Sequence, residues 1–184
     1  MKVSALVTWL AIFSISCTQK AHESETDLAV ERTKKVVLAA YEAQVSGNLE
    51  VWKSLISDVF EYTLNGQLDI SKSYNWDEFM IMQAKFGKLL RGPVSAEFKD
   101  IVCDVNKAVV FADGKMAGVG GKYENEYALK YELNNEGRIT HIKEWLSDIL
   151  FATQMYGQEI DAVPSAATPS FVVLSRKMAV ATKC

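Results

Sequence analysis

Val30, Val37, Ala40, Tyr41, Gln44 and Val45 recur at three- and four-residue spacing, and Gly47 follows them. That spacing predicts one face of a helix, with Asp27 as its N-cap and the glycine as its stop. Asn48 caps a second, shorter helix predicted over Leu49–Ile56, which carries Trp52 and Leu55. The period then drops to two. Phe60, Tyr62 and Leu64 share one face of a strand predicted over Val59–Leu64, and Asn65-Gly66 marks a tight turn. Asn75 opens a third helix, with Asp77 and Glu78 placed favourably for the helix dipole. Its core face is Trp76, Phe79, Met80, Gln83 and Phe86, and Gly92-Pro93 closes the segment.

Four strand-like runs follow with no helical period between them: Val94–Val105, Ala108–Val119, Lys122–Asn134 and Arg138–Leu150. Turns at Asp104–Lys107 and Asn134–Gly137 separate the outer pairs, and Gly118, Gly120 and Gly121 mark a bulge or sharp bend. The order is helix, helix, strand, helix and then a meander. It predicts an α+β domain in which three N-terminal helices pack on one face of a curved antiparallel sheet. The other sheet face must be solvated or covered by a partner subunit, so a homodimer is expected. The tail from Gln158 to Cys184 begins loop-like at Pro164 and Pro169 and then carries a short apolar run, Phe171–Leu174.

Composition narrows the partners. Lysine and arginine number 20 against 23 acids, the net charge is −3, and no basic run is present, so nucleic acid is not an expected partner. Lys2 followed by the uncharged apolar run Val3–Ile15 reads as a signal peptide over residues 1–16. Ser14-Ile15-Ser16 supplies the small residues of a cleavage site before Cys17. Removing this segment deletes one lysine and no acid. Residues 17–27 are polar and read as a tether. Cys17 has two readings: a lipid-modified first residue tethering the protein to a membrane, or an incidental cysteine in a plainly secreted chain. Either way the protein is expected to be exported, and an uncleaved anchor is the remaining alternative. Cys17, Cys103 and Cys184 form no framework of spaced pairs. No Cys/His cluster has metal-ligand spacing, so neither metal nor cofactor is expected.

Val37-Leu-Ala-Ala-Tyr41, Ser46-Gly-Asn-Leu-Glu-Val-Trp52, Leu55-Ile-Ser-Asp58-Val-Phe60 and Leu64-Asn-Gly66 occur in that order. Gly121-Lys-Tyr-Glu-Asn-Glu-Tyr127, Glu136-Gly-Arg-Ile139 and Glu144-Trp145 follow them. Together they resemble the opening and the closing hairpin of SnoaL-like proteins of the nuclear transport factor 2-like superfamily. The resemblance implies a cone-shaped α+β barrel domain over residues 28–157. It also implies a relative of ketosteroid isomerases, polyketide cyclases and dehydratases, some of whose members have no known catalysis. In the family's catalytic cyclases the closing strand reads E-Y-x-D, with the Asp as acid/base. Here Ser147 stands in that place and Asp148 comes one residue later, a slip that turns the side chain to the opposite face. The epoxide-hydrolase subtype needs an Asp–Arg–Asp set, and Arg32, Arg91 and Arg138 sit at element ends or in a turn.

Alternation names the candidate site. In Tyr123–Leu133 the face Tyr123, Asn125, Tyr127, Leu129, Tyr131 and Leu133 must point inward, a hydroxyl-bearing aromatic lining suited to a small hydrophobic molecule. Tyr41, Tyr62, Trp76 and Trp145 are further candidates for that wall. Asp100 lies on the apolar face of Val94, Ala96, Phe98 and Val102, where desolvation would suit a general base. His141 shares a strand face with Ile139, Lys143, Trp145 and Ser147, opposite Ile142, Glu144, Leu146 and Asp148. The two faces are similarly apolar, and the pattern does not decide which is buried. Asp100 and His141 are therefore the candidate catalytic residues, with Tyr62, Tyr123 or Tyr127 stabilising an enolate oxygen. The alternative is a noncatalytic ligand-binding or dimerisation module.

Overall fold

The computed structural model describes residues 4–160, with side chains from Glu25 onward. Helix α1 spans Ser4–Ser46 and α2 spans Leu49–Leu55. Asp27 thus lies within α1 instead of capping it. The stretch Thr18–Asp27 contains neither glycine nor proline, so nothing in its backbone stops a helix there. Cys17 and the expected cleavage site fall where the backbone alone is described, and the tail from residue 161 lies outside the described residues. Gly47, at φ +70, ends α1, and the Asn48 side chain accepts the Val51 N–H at the start of α2.

Strand β1 (Ile56–Asn65) pairs antiparallel with the two-residue β2 (Ser73–Tyr74), placing Tyr62 opposite Tyr74 and Thr63 opposite Ser73. The expected tight turn at Asn65-Gly66 is instead the start of a loop, residues 66–72. Helix α3 (Trp76–Gly87) begins with a complete capping box between Asn75 and Glu78. The meander consists of β3 (Ser95–Asp104), β4 (Lys107–Gly118), β5 (Gly121–Leu133) and β6 (Ile139–Trp145). The strands form one six-stranded sheet in the order β2-β1-β6-β5-β4-β3. It is mixed and does not close on itself, whereas a wholly antiparallel sheet was expected. The α+β class with three leading helices is as the element order predicts.

The last predicted strand stops five residues early. Ser147 caps a helical turn, α4 (Asp148–Leu150), which leads into a π-helical turn, Phe151–Met155. A Ser-Asp pair is a strong helix start, and it overrides the apolar run that follows. Two of the three glycines around residue 120 find their reason here. Val119 and Gly120 donate their N–H groups to the carbonyls of Met155 and Gln154. A Cβ at Gly118 or Gly120 would collide with the backbone of residues 153–155. Gly118 and Gly120 serve the close approach of two backbones, and the expected sharp bend is the turn between β4 and β5, where Gly121 takes φ +132.

The chain divides into two compact units. The first comprises the residues up to Phe60 with Ile101–Val109 and Lys130–Ile142. Its core contains Val37, Ala40, Tyr41, Trp52, Phe60, Tyr131, Ile139 and Ile142. Buried Thr33 accepts the Asn106 N–H with the hydroxyl that it donates to the Ala29 carbonyl, fixing α1 against the β3–β4 turn. The second unit comprises Glu61–Asp100, Val110–Leu129 and the residues from Lys143 on. Tyr62, Leu64, Tyr74, Phe79, Val110, Ala112, Tyr123, Phe151 and Met155 are its buried centre.

Candidate functional site

Strand β5 delivers the side chains that its alternation predicts. Tyr123 and Asn125 are buried, Tyr127 is half-buried, and Lys122, Glu124 and Glu126 on the other face are outside or partly so. The Tyr127 hydroxyl donates to that of Tyr123 at 3.2 Å. Its ring occupies the space that a side chain at position 114 would fill, since a Cβ on Gly114 would lie 2.5 Å from the ring. Asn125 is oriented from both ends. Its amide donates to the Glu126 carbonyl at 2.7 Å, and its oxygen accepts the Ser147 N–H at 3.1 Å. That second bond ties the start of the closing helical segment to the middle of β5.

Strand β6 supplies the carboxylate that alternation left undecided. Glu144 points to the side of buried Ile142, and its carboxyl accepts a hydrogen bond from the hydroxyl of fully buried Tyr62 on β1. The residue keeps some exposed surface, yet the carboxyl itself is desolvated. Burial pushes its pKa up to about 7, against the lowering effect of the Tyr62 bond. Burial likewise holds the Tyr123 hydroxyl up at about 12 and raises that of Tyr127, and the Glu144 charge adds to both shifts. One carboxyl and three phenols thus share one desolvated neighbourhood within the second unit. The aromatic ring of Phe79 on α3 lies 4.2 Å from that of Tyr62 and covers it.

A cavity of about 480 Å³ runs along α3 in the same unit. Glu78, Ile81, Met82, Lys85 and Phe86 line it from the helix, at the three- and four-residue spacing of one helical face, and Leu89 from the turn after it. Asp69, Ile70, Lys72 and Tyr74 form a second wall, and Phe151 and Tyr156 a third. Phe151 connects this cavity to the buried phenols, stacking on Phe86 at 5.8 Å and meeting Tyr123 edge-on at 6.0 Å. Tyr74 stands cross-strand from Tyr62, with the Lys72 ammonium 4.9 Å from its ring centre. Burial and the nearby Asp69 carboxylate raise the Tyr74 hydroxyl and push that of Tyr156 up to about 12. A second, more polar groove of about 550 Å³ is lined by Asp113–Lys115, Glu124–Glu126, Ser147 and Leu150.

The structure separates the other candidates from this neighbourhood. Asp100 is exposed on the edge strand β3, and the apolar neighbours expected to desolvate it are themselves exposed, Phe98 by 42% and Val102 by 60%. An edge strand needs no buried face along its whole length, so its alternation carried no information about burial. His141 is half-buried in the first unit, with Nδ1 3.7 Å from the Glu132 carboxylate. Trp145 lies on the outer side of β6 under the Lys143 ammonium. Tyr41 is core in the first unit, and Trp76 is a half-buried residue at the start of α3. Asp148, displaced from the family's closing acid, accepts the Gln67 N–H at 2.6 Å. Among the described residues no group of three or more His, Cys, Asp or Glu side chains is placed to hold a metal ion.

No protein-family model matches the chain, and no curated protein does. Solved structures do match. Bal32a, from a soil-derived mobile gene cassette, superposes with a TM-score of 0.59 at 16% identity, over 68% of this chain and 96% of its own. TerC, co-crystallised with polyporic acid, gives 0.59 at 13% identity over 67% of this chain and 97% of its own. A nuclear transport factor 2-like protein of unknown function from Burkholderia pseudomallei gives 0.59 at 12% identity, over 67% and 97%. The fold is nuclear transport factor 2-like. At these identities the likeness extends to the fold alone, and the nuclear transport factor 2-like scaffold hosts many unrelated sites. What this chain does has to be argued from its own residues.

Sequence reasoning passed over Glu144. The available signal was Ile142-x-Glu144-x-Leu146, a carboxylate between two apolar residues on one strand face. It was equivalent to the His141 face until burial broke the tie.

Proposed function

We propose that the protein is an exported binder of a small hydrophobic molecule, and that Glu144 is the residue that holds or moves a proton beside it. The observation that carries this reading is the 480 Å³ cavity along α3, whose aromatic wall Phe151 also packs on Tyr123 of the buried phenol–carboxyl group. The size is typical of small-molecule sites, and the lining is largely apolar with a few polar groups at its margin. Glu144 with a pKa near 7 exchanges a proton at neutral pH, and Tyr62 next to it is a fixed donor toward developing negative charge. TerC, which shares the fold, was crystallised with polyporic acid, and an apolar ligand here is in keeping with that. Export rests on Lys2, the apolar run after it and Ser14-Ile15-Ser16 before Cys17.

A noncatalytic, dimerising form of the same reading has its own support. Phe111 on β4 and Trp145 on β6, both in the second unit, are large apolar side chains, 41% and 37% exposed, and Phe111 stands between buried Val110 and Ala112. A second copy of the chain would cover them.

Fluorescence titration with 1-anilinonaphthalene-8-sulfonate tests the cavity. Saturable binding is expected in the native protein, abolished by Met82→Trp, which fills the cavity, and retained in Val59→Ser on the outer sheet face. Binding that survives Met82→Trp, or that disappears with Val59→Ser, would count against the site.

A further inference from the structure

Two of the cavity's walls are hydrogen-bonded to each other through a single carboxylate. The loop of residues 66–72 contributes Asp69, Ile70 and Lys72, and the closing helical segment that begins at Asp148 contributes Phe151 and Tyr156. Asp148 Oδ2 accepts the Gln67 N–H at 2.6 Å. Among the described residues no backbone hydrogen bond joins the two segments. We propose that Asp148 is the latch of a lid: the loop of residues 66–72 swings away from the closing segment when the Asp148–Gln67 bond breaks, and the cavity opens to its ligand. The proposal rests on the reading of that cavity as the ligand site.

Several features make the loop the moving part. It is closed on itself, with Ser71 donating to the Leu68 carbonyl at 2.9 Å, Leu68 donating to the Ser71 hydroxyl at 3.2 Å, and Leu64 bonded across its base to Lys72 at 3.1 Å. These bonds keep its shape as it moves, and the Tyr74 hydroxyl, donating to the Ile70 carbonyl at 2.6 Å, is the tie to β2 at its far end. The closing segment is fixed on the other side by Ser147 to Asn125, Val119 to Met155 and Gly120 to Gln154. Leu68 and Ile70 pack on the apolar group of Tyr123, Phe151 and Met155, so the closed position is the resting one.

The latch is also poised to release. Asp148 Oδ1 is buried without a hydrogen-bond partner. A carboxylate oxygen left in that state is unfavourable, and opening the loop returns it to water, which offsets the loss of the bond through Oδ2. Gly66, at φ +148, is the natural pivot. A side chain there is excluded in the closed form, because its Cβ would collide with the Asp148 carboxyl. Hinge, the latch's partner Gln67 and one cavity wall thus fall within one short stretch, Gly66–Lys72.

The test uses the full chain, Asp148→Asn and Asp148→Ala, with two readouts. Amide hydrogen exchange at Gln67 should accelerate about tenfold in Asp148→Asn, the loss expected when a charge-assisted bond becomes a neutral one, while amides of Val110 and Tyr131 keep their protection. Stopped-flow mixing with 1-anilinonaphthalene-8-sulfonate should show an association rate about tenfold faster, by the same argument, with Asp148→Ala at least as fast. Unchanged exchange at Gln67, or equal loss of protection at Val110 and Tyr131, would overturn the latch. Faster exchange at Gln67 with an unchanged association rate would overturn the lid while leaving the cavity as the binding site. Absence of any probe binding that Met82→Trp can block would overturn both.

Discussion

The hydroxyl of Tyr62 donates to the carboxyl of Glu144 across neighbouring strands β1 and β6, at a place where burial already favours the protonated acid. The two effects oppose each other. Desolvation raises the carboxyl pKa and the phenol's bond lowers it, and the balance leaves the group near neutrality, where a proton is gained and lost most readily.

Stability should therefore fall as pH rises across this group. An acid whose folded pKa, about 7, lies above its unfolded value near 4.5 binds its proton more tightly in the folded state. Folding is then penalised increasingly between these two pH values, and the penalty levels off above pH 7. The full difference is on the order of 3 kcal/mol. Thermal melts of the native chain should show Tm dropping from pH 5 to pH 7.5 more steeply than those of Glu144→Gln. Parallel curves for the two proteins would refute the assignment.

Tyr62→Phe removes the lowering effect and should move the Glu144 titration upward. NMR titration of the glutamate side-chain carbons would report it directly. The variant should also lose on the order of 1 kcal/mol of stability for the lost hydrogen bond. A downward shift would mean that the phenol does not contact the ionised carboxylate.

Gly114→Ala should displace the Tyr127 ring and with it the bond to Tyr123, costing about 1–3 kcal/mol as an overpacked site. In a Tyr127→Ala background the same substitution should cost almost nothing. A double-mutant cycle by urea unfolding separates the two cases, and equal costs in both backgrounds would show that the ring is not what the alanine meets.

If a second copy covers the exposed apolar side chains of the second unit, Phe111→Asp and Trp145→Asp should convert a dimer to a monomer in sedimentation equilibrium, with the α+β circular dichroism spectrum retained. A native chain that sediments as a monomer at all concentrations would remove that expectation.

The first residue of the mature chain is expected to be Cys17. Intact-mass analysis after expression with export machinery should find residues 1–16 absent, with or without added lipid mass on Cys17. A product that begins at Met1 would refute the cleavage site.

Most of the fold could be read from period and caps. Asn48, Asn75 and Gly47 act at the chemical boundaries where they stand, and β5 buries the face that its tyrosines indicated. The failures have one physical origin: alternation reports which residues are alike, not which are covered. At β3, Phe98 and Val102 with Val94 just before the strand look like a core face, but the strand ends the sheet and all three are exposed. On β6 two faces of equal hydropathy differed only in their neighbours, and Tyr62 lies far away in sequence. The helical turn after Trp145 was hidden because its apolar residues suit a strand equally well, and only Ser147-Asp148 pointed the other way. Asp100 and His141 are indicated by their chemistry alone, on faces whose burial the pattern does not settle, and the structure leaves Asp100 exposed and His141 half-buried.

The way the closing segment is attached has a bearing on how such a protein diversifies. Its grip on β4 and β5 runs through main-chain groups of residues 154 and 155 and two positions that tolerate no side chain, Gly118 and Gly120. None of that depends on which side chains the segment carries. Phe151 and Tyr156, which line the cavity, can therefore be exchanged without removing those main-chain bonds, and with them the depth and chemistry of the chamber. The segment behaves as an interchangeable cartridge. A lineage could acquire a new ligand by rewriting fewer than ten consecutive codons and leaving the sheet untouched.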